Sequence, residues 1–489
     1  MAQKENKTIF NTTEKSNFIL NMRESTVRKG TVGVLLVVPV FIYIMVALKM
    51  FFIVEMTAFS MTLTLAGAAA FIWLAVVQAK KQQLDKSQVL PFLFCIIMFV
   101  LAFIASIWSF DFDTALSGNY GRFEGLLSIT CYMGIFLLAM QIQRKRGMRI
   151  IMDVLVAAGV FNCVFALLQS IPGPFANKYS FYINLAPMRL LGVYLPSGLC
   201  TSPIFFATLL TLVCGVSVFG SCYDLHIPRR VLYTVATVIF IVFAVATHTI
   251  IGILGISAVL ACVLVFEIIR MTRKKSEHYK TTTYPIVRCV IYIAVFVSCC
   301  IMFFSGGGLY DGGIMWTDSF SYLSGVSGYY YPNTEEFPDR APFDISNFGE
   351  LYGYLWSNTL EAMDKYDLWL TGAGPDCLYY TQLKTTSEIM VENYSFDKCY
   401  NDYLYIAATR GIPSLLAYAA LLVLSVKRSL AGVREMLNAK KNDFWVCGAA
   451  FAAVLSYIII GFFNTSSILV APIFWMLLGF CAKEKPPVD

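Results

Sequence analysis

Charge is what this chain has least of. Only 14% of its 489 residues are Asp, Glu, Lys or Arg, against 58% hydrophobic, where soluble domains carry about 25% charged residues. So little charge excludes a chain built around one water-soluble core. Apolar runs near 20 residues, long enough to cross roughly 30 Å of hydrocarbon, recur instead. The first 30 residues lack an apolar stretch, which argues against a cleavable signal peptide and leaves the first apolar run as an anchor. Histidine is scarce, at three. No CxxC or Cys/His cluster accompanies the 14 cysteines, most of which sit in apolar runs as small buried residues, so metal: none is the expectation. Gly306-Gly-Gly308 and Gly372-Ala-Gly-Pro375 lack a following Lys-Ser/Thr and are not phosphate loops. No internal repeat is visible, and the apolar runs hold few charges. A transporter or flippase is therefore the weaker reading.

What is present predicts an all-α, polytopic membrane helix bundle of about 12 transmembrane helices with one large, partly helical extracytoplasmic loop. The runs fall at 31–48, 56–79, 89–108, 125–142, 148–168, 199–221, 231–248, 250–269, 285–304, 411–426, 443–463 and 466–482, the seventh and eighth nearly continuous. The organisation follows as a cytoplasmic tail 1–30, spans one to nine within 31–304, a loop 305–410, the last spans within 411–482 and a tail 483–489. With the N-terminus inside, 28 of the 37 Lys+Arg fall on inner segments, as the positive-inside rule requires. Both termini are then cytoplasmic, the loop faces outward, and the chain is a multi-pass plasma-membrane protein. The net charge of +6 reflects this topology, and no nucleic acid is expected as a partner.

Loop 305–410 is long for a connection, and long loops are functional or disordered. This one is rich in aromatic residues, with Gly328-Tyr329-Tyr330-Tyr331-Pro332 the densest patch. Such rings either stack on sugars or form a small core that holds the loop on the bundle. The loop also holds 15 Asp+Glu against 5 Lys+Arg, so an anionic substrate would need locally placed arginines. Residues 347–371 have helical spacing, Gly372-Ala-Gly-Pro375 breaks it, and a second helix starts near Asn401. Cys377 and Cys399 are placed to pair if the compartment is oxidising.

Arg122, Arg189 and Arg410 lie at the outer boundary of the spans. A cation there is costly unless it serves something, and guanidinium forks grip phosphate oxygens bidentately. Three together could hold a lipid pyrophosphate; alternatively each snorkels or pairs with a local acid such as Glu124. His248 is the one histidine on the outer side, as a base or as a neutral structural residue. Asp111-Phe112-Asp113 has the DxD pattern that holds a metal with a sugar donor, but it follows an aromatic belt and is common by chance.

Five segments resemble the O-antigen ligase and O-antigen polymerase superfamily of polytopic envelope glycosyltransferases. They are GNYGRFEGLLSITCYMG, MRLLGVYLPSGLCTSPIFFATLLTL, LYGYLWSNTLEAMDKYDLWLTGAGPDCL, NDYLYIAATRGIPSLLAY and GFFNTSSILVAPIFWMLLG, and their order covers most of the chain. The resemblance implies transfer of a glycan from a polyprenyl pyrophosphate carrier to an unknown acceptor at the outer face of the lipid bilayer, with no cofactor. It implies pyrophosphate binding by Arg122, Arg189 and Arg410, and catalytic work by Tyr400, Asn401, and His248 or Asp402. The family signature is His, then Asn, Ser or Gln, then nine residues, then Gly. Asn401 and Gly411 keep that spacing, but Tyr400 replaces the histidine. Tyr352, four residues before Trp356, stands where the loop helix of relatives has arginine. Tyrosine, with a pKa near 10, is a poor general base at neutral pH. A catalytically degenerate member that binds lipid-linked glycans or assists assembly is therefore the alternative.

Overall fold

The computed structural model describes residues 22–51, 56–81, 85–119, 122–142, 144–170, 189–190, 193–194, 196–200, 202–247, 249–272, 284–305, 348–385, 398–438 and 445–483. These residues form fifteen helices and one two-residue hairpin. In chain order the helices are α1 (Glu24–Phe51), α2 (Met56–Lys81), α3 (Lys86–Ile107), α4 (Phe112–Ser117), α5 (Leu126–Ala139), α6 (Lys145–Ser170), α7 (Pro203–Tyr223), α8 (Ile227–Ala246), α9 (Ile250–Thr272), α10 (Tyr284–Ser305), α11 (Phe348–Lys365), α12 (Leu378–Thr385), α13 (Asp402–Asn438), α14 (Trp445–Ile460) and α15 (Ala471–Cys481). Between α6 and α7, β1 (Arg189–Leu190) pairs antiparallel with β2 (Val193–Tyr194).

Eight helices are long and apolar enough to cross a membrane, and α5, α14 and α15 are shorter apolar helices. The chain is a polytopic helical membrane protein. Its outer surface fits that reading. On α3, Leu93, Ile96, Val100, Phe103 and Ile107 are exposed, and on α10 so are Val287, Val290 and Ile301. Rows of exposed large aliphatic residues suit lipid and would be a liability in water.

Helix α7 is the axis of the bundle, with every residue buried. It packs against α8, α9 and α14, while α15 packs on α5 and α14. A fully buried helix carrying polar residues must satisfy them internally. Thr208 and Thr211 donate to the carbonyls of Ile204 and Ala207, both at 2.9 Å. Asn464 then donates to the Thr208 hydroxyl at 2.7 Å.

The closely spaced seventh and eighth runs are two separate helices. Thr247 turns its hydroxyl back to the Ala244 carbonyl at 2.7 Å, and the Thr249 hydroxyl accepts the Gly252 amide at 3.2 Å. One helix is closed and the next is capped within three residues. The expected loop helix is α11, and the expected second helix begins at Asp402. That helix leads into the tenth apolar run with a break at Gly411 (φ 80°, ψ 160°), and the helix continues to Asn438, beyond the expected end at 426.

A small second core caps one end of the bundle. Ala115 of α4, Met363 of α11, Leu368, Ala373, Cys377, Cys399 and Ala408 form one buried cluster. Part of the loop's apolar content therefore holds the loop on the helices. Residues 306–347, with their Tyr329-Tyr330-Tyr331 patch, lie outside the described residues.

Candidate functional site

The site begins with two turns that interlock. The carbonyls at the end of a helix segment lack intrahelical partners. Before Gly411, those of Ala408 and Thr409 accept the amides of Ala373 and Gly374, each at 2.9 Å. In return the Ile412 amide donates to the Trp369 carbonyl at 2.8 Å. The approach is so close that a Cβ on Gly411 would lie 2.0 Å from the Leu370 carbonyl oxygen, and one on Gly372 (φ 73°) 2.3 Å from the Arg410 nitrogen. This explains why glycine occupies both positions and fixes Arg410 at the junction.

Asn401 starts the helix. Its side-chain oxygen accepts the amides of Tyr403 at 3.1 Å and Leu404 at 3.0 Å, an N-cap. The Asp402 amide donates to the Gly461 carbonyl at 2.8 Å, which ties α13 to the end of α14. Tyr400 is 2% exposed, with φ 49°, in the sparsely used left-handed region.

Beneath this helix start lies a buried ion cluster. Lys398, fully buried, reaches Glu124 Oε2 at 2.7 Å and Asp376 Oδ1 at 3.2 Å. It also donates to the Tyr405 hydroxyl at 2.9 Å. Tyr405 donates in turn to Asp376 Oδ1 at 2.7 Å, and Asp376 Oδ2 accepts the amides of Asn119 at 2.8 Å and Glu124 at 3.2 Å. One side chain thus joins the Gly372–Pro375 turn, the segment before α5 and the start of α13. Buried charges persist when paired and hydrogen-bonded in this way.

Next to the cluster is a cavity of about 30 Å³, lined by Glu124, Asp402, Arg410 and Ser466, with Tyr132, Tyr405, Tyr418, Tyr457 and Trp475 as aromatic walls. That volume admits a water-sized group. Glu124 Oε1 and Arg410 Nε, both buried, have no hydrogen-bond partner among the described residues. Arg410 and Ser466 are partly exposed while Glu124, Asp402 and Tyr405 are buried.

Of the expected residues, Asp402 and Arg410 line this cavity, with Gly411 directly behind. Tyr400 and Asn401 adjoin it without lining it. Arg122 is buried, its guanidinium 6.0 Å from the Phe205 ring, and Glu124 is held by Lys398. The backbone of Arg189 lies in β1 opposite Tyr194, and its side chain lies outside the described residues. Tyr352 lies in α11, its side chain also outside them. Trp356 packs on Phe463 at 6.2 Å. His248 lies outside the described residues. Asp111 caps α4 by accepting the Thr114 amide at 3.1 Å, which accounts for half of the DxD pattern. No group of three or more metal-ligating side chains occurs among the described residues. Cys377 and Cys399 are free thiols within the second core.

Sequence reasoning missed Lys398, Asp376 and Tyr405, and it read Glu124 only as an ion-pair partner. The usable signal was the charge balance of the loop. In so acidic a segment, each of its few cations invites the question of which acids hold it.

No family model matches the chain, and no curated protein matches it significantly.

Proposed function

We propose that the chain is an O-antigen ligase/polymerase-like envelope glycosyltransferase. It would move a glycan from a polyprenyl pyrophosphate carrier to an acceptor hydroxyl on the outer side of the membrane. One observation carries the reading. Glu124 from the first segment picked out by the resemblance and Asp402 and Arg410 from the Asn401–Gly411 segment line one charged cavity, and the Gly372–Pro375 turn with Asp376 packs against both segments.

The chemistry available there suits this reaction. Asp402 supplies a carboxylate and Arg410 a guanidinium at the cavity. Arg410, with Arg122 and Arg189, would meet the pyrophosphate oxygens and stabilise the departing charge, an effect that often dominates transfer catalysis. The opposite end of the bundle supports the sidedness. There Arg428 donates to the carbonyls of Ser87 and Ala482 at 2.8 and 2.9 Å, and Lys81 donates to Gln141 at 2.8 Å. Under the positive-inside rule a basic end is the cytoplasmic one, and the cavity would then lie on the outer side.

The test uses the purified chain in lipid nanodiscs with a polyprenyl-pyrophosphate-linked glycan and lipid or glycan acceptors. Transfer by wild type, lost in Arg410→Ala and Asp402→Asn, is the expected result. Wild-type rates in both variants would sink the assignment. A second reading, a binder without turnover, is favoured by the burial of Tyr400 away from the cavity lining. Tight binding of the lipid-linked glycan with no transfer by wild type would establish it.

A further inference from the structure

We infer that Glu124 is the proton acceptor of the transfer, with Lys398 as its positioning residue, an assignment that rests on the glycosyltransferase reading above. The two oxygens of Glu124 are in different situations. Oε2 is fixed by the Lys398 ammonium at 2.7 Å. Oε1 is buried, faces the cavity and has no hydrogen-bond partner among the described residues. Arg410 Nε, on the same cavity, likewise has no such partner. An unpaired buried acceptor and an unpaired buried donor are each costly, so they mark a place where something polar binds.

A group that accepts from the guanidinium and donates to the carboxylate suits both atoms. A hydroxyl does both. A phosphate oxygen would satisfy Arg410 but be repelled by Glu124, and an ammonium the reverse. The cavity of about 30 Å³ has room for a group of that size and for no sugar ring, so the sugar that carries the hydroxyl stays outside it. The cavity is therefore the acceptor hydroxyl subsite, and pyrophosphate lies outside it, beyond the partly exposed Arg410.

The step balances as follows. The acceptor hydroxyl gives its proton to Glu124 Oε1 as its oxygen bonds to the anomeric carbon. The bond from that carbon to the pyrophosphate oxygen breaks, and its electron pair leaves with the carrier. The proton on Glu124 is lost to solvent past Arg410 and Ser466. Asp402 is the competing base on the same cavity, and the paired variants below separate the two. The charged groups around Glu124 are two cations, Lys398 and Arg410, and two carboxylates, Asp376 and Asp402. The tyrosines facing it are Tyr132 and Tyr457 from the bundle and Tyr405 from α13.

The experiment is the nanodisc transfer assay run across pH, with binding of the lipid-linked glycan measured separately. Glu124→Gln should lower kcat by about 10²–10⁴-fold, keep binding within twofold and lose the acid limb of the pH–rate profile. Glu124→Asp keeps the charge beside Lys398 but withdraws the carboxylate, and should retain the acid limb at a reduced rate. A folded Glu124→Gln with kcat within threefold of wild type overturns the assignment. So does an acid limb that vanishes in Asp402→Asn yet persists in Glu124→Gln. If Glu124→Gln does not fold, Glu124→Asp at the wild-type rate overturns it alone. No transfer by wild type would overturn the glycosyltransferase reading as well, so the two failures are distinguishable.

Discussion

Replacing Lys398 with Met tests the ion cluster that holds the site together. Met keeps the apolar stem and removes the ammonium. At an effective dielectric near 20, the attraction is about 6 kcal/mol to Glu124 at 2.7 Å and about 5 kcal/mol to Asp376 at 3.2 Å. Burying the ammonium costs several kcal/mol in the other direction. The variant also strands the buried Glu124 carboxylate and leaves Asp376 with only neutral donors, the Tyr405 hydroxyl and two backbone amides. Breaking a buried pair in this way costs about 3–5 kcal/mol, and that is the expected loss. It should be read from the unfolding midpoint in detergent micelles, by SDS titration or heating. Adding Glu124→Gln removes one stranded charge, so the double variant should lose less than the sum of the two single changes. A Lys398→Met midpoint equal to wild type, or strict additivity in the double variant, would refute the claim that Lys398 is the cluster's keystone.

Three further outcomes follow from the same geometry. Gly411→Ala should prevent stable folding, because φ 80°, ψ 160° is a region essentially confined to glycine, at a cost of about 1–3 kcal/mol, and the added Cβ would lie 2.0 Å from the Leu370 oxygen; a variant that purifies with the wild-type midpoint would contradict the interlocked turns. Asn401→Ala should cost about 1 kcal/mol through loss of the N-cap, while Asn401→Asp and Asn401→Ser keep both stability and transfer; loss of transfer in a stable Asn401→Asp would give Asn401 a direct role instead. Burial pushes the Cys377 and Cys399 thiols up to about 12, so at pH 8 about one in ten thousand is thiolate. Maleimide should leave both unlabelled in the native protein and modify both after SDS unfolding, and rapid native labelling at either would contradict their burial.

The helices were legible because hydrophobic length is a local property. The run at 347–371 became α11, and the close pair at 231–248 and 250–269 became α8 and α9. The spacing from Asn401 to Gly411 was legible too, and the structure gives its physical basis as a cap at one end and a contact only glycine permits at the other. The cavity was not legible. It depends on Glu124, Asp376 and Lys398, which lie far apart in the chain and follow no periodic pattern. Each is an unremarkable charge until the fold buries it. The arginines show the same limit from the other side. Spacing placed Arg122 and Arg410 at one boundary, but only the packing distinguishes Arg410 on the cavity from Arg122 beside Phe205.

The most direct measurement of the central claim is transfer by the purified wild-type chain in nanodiscs. The readout is movement of a labelled glycan from polyprenyl pyrophosphate to an acceptor, with Arg410→Ala run alongside. The account predicts turnover by wild type and its loss in the arginine variant. Unimpaired transfer in Arg410→Ala, or no transfer by a folded wild-type protein that binds the carrier-linked glycan, would contradict it.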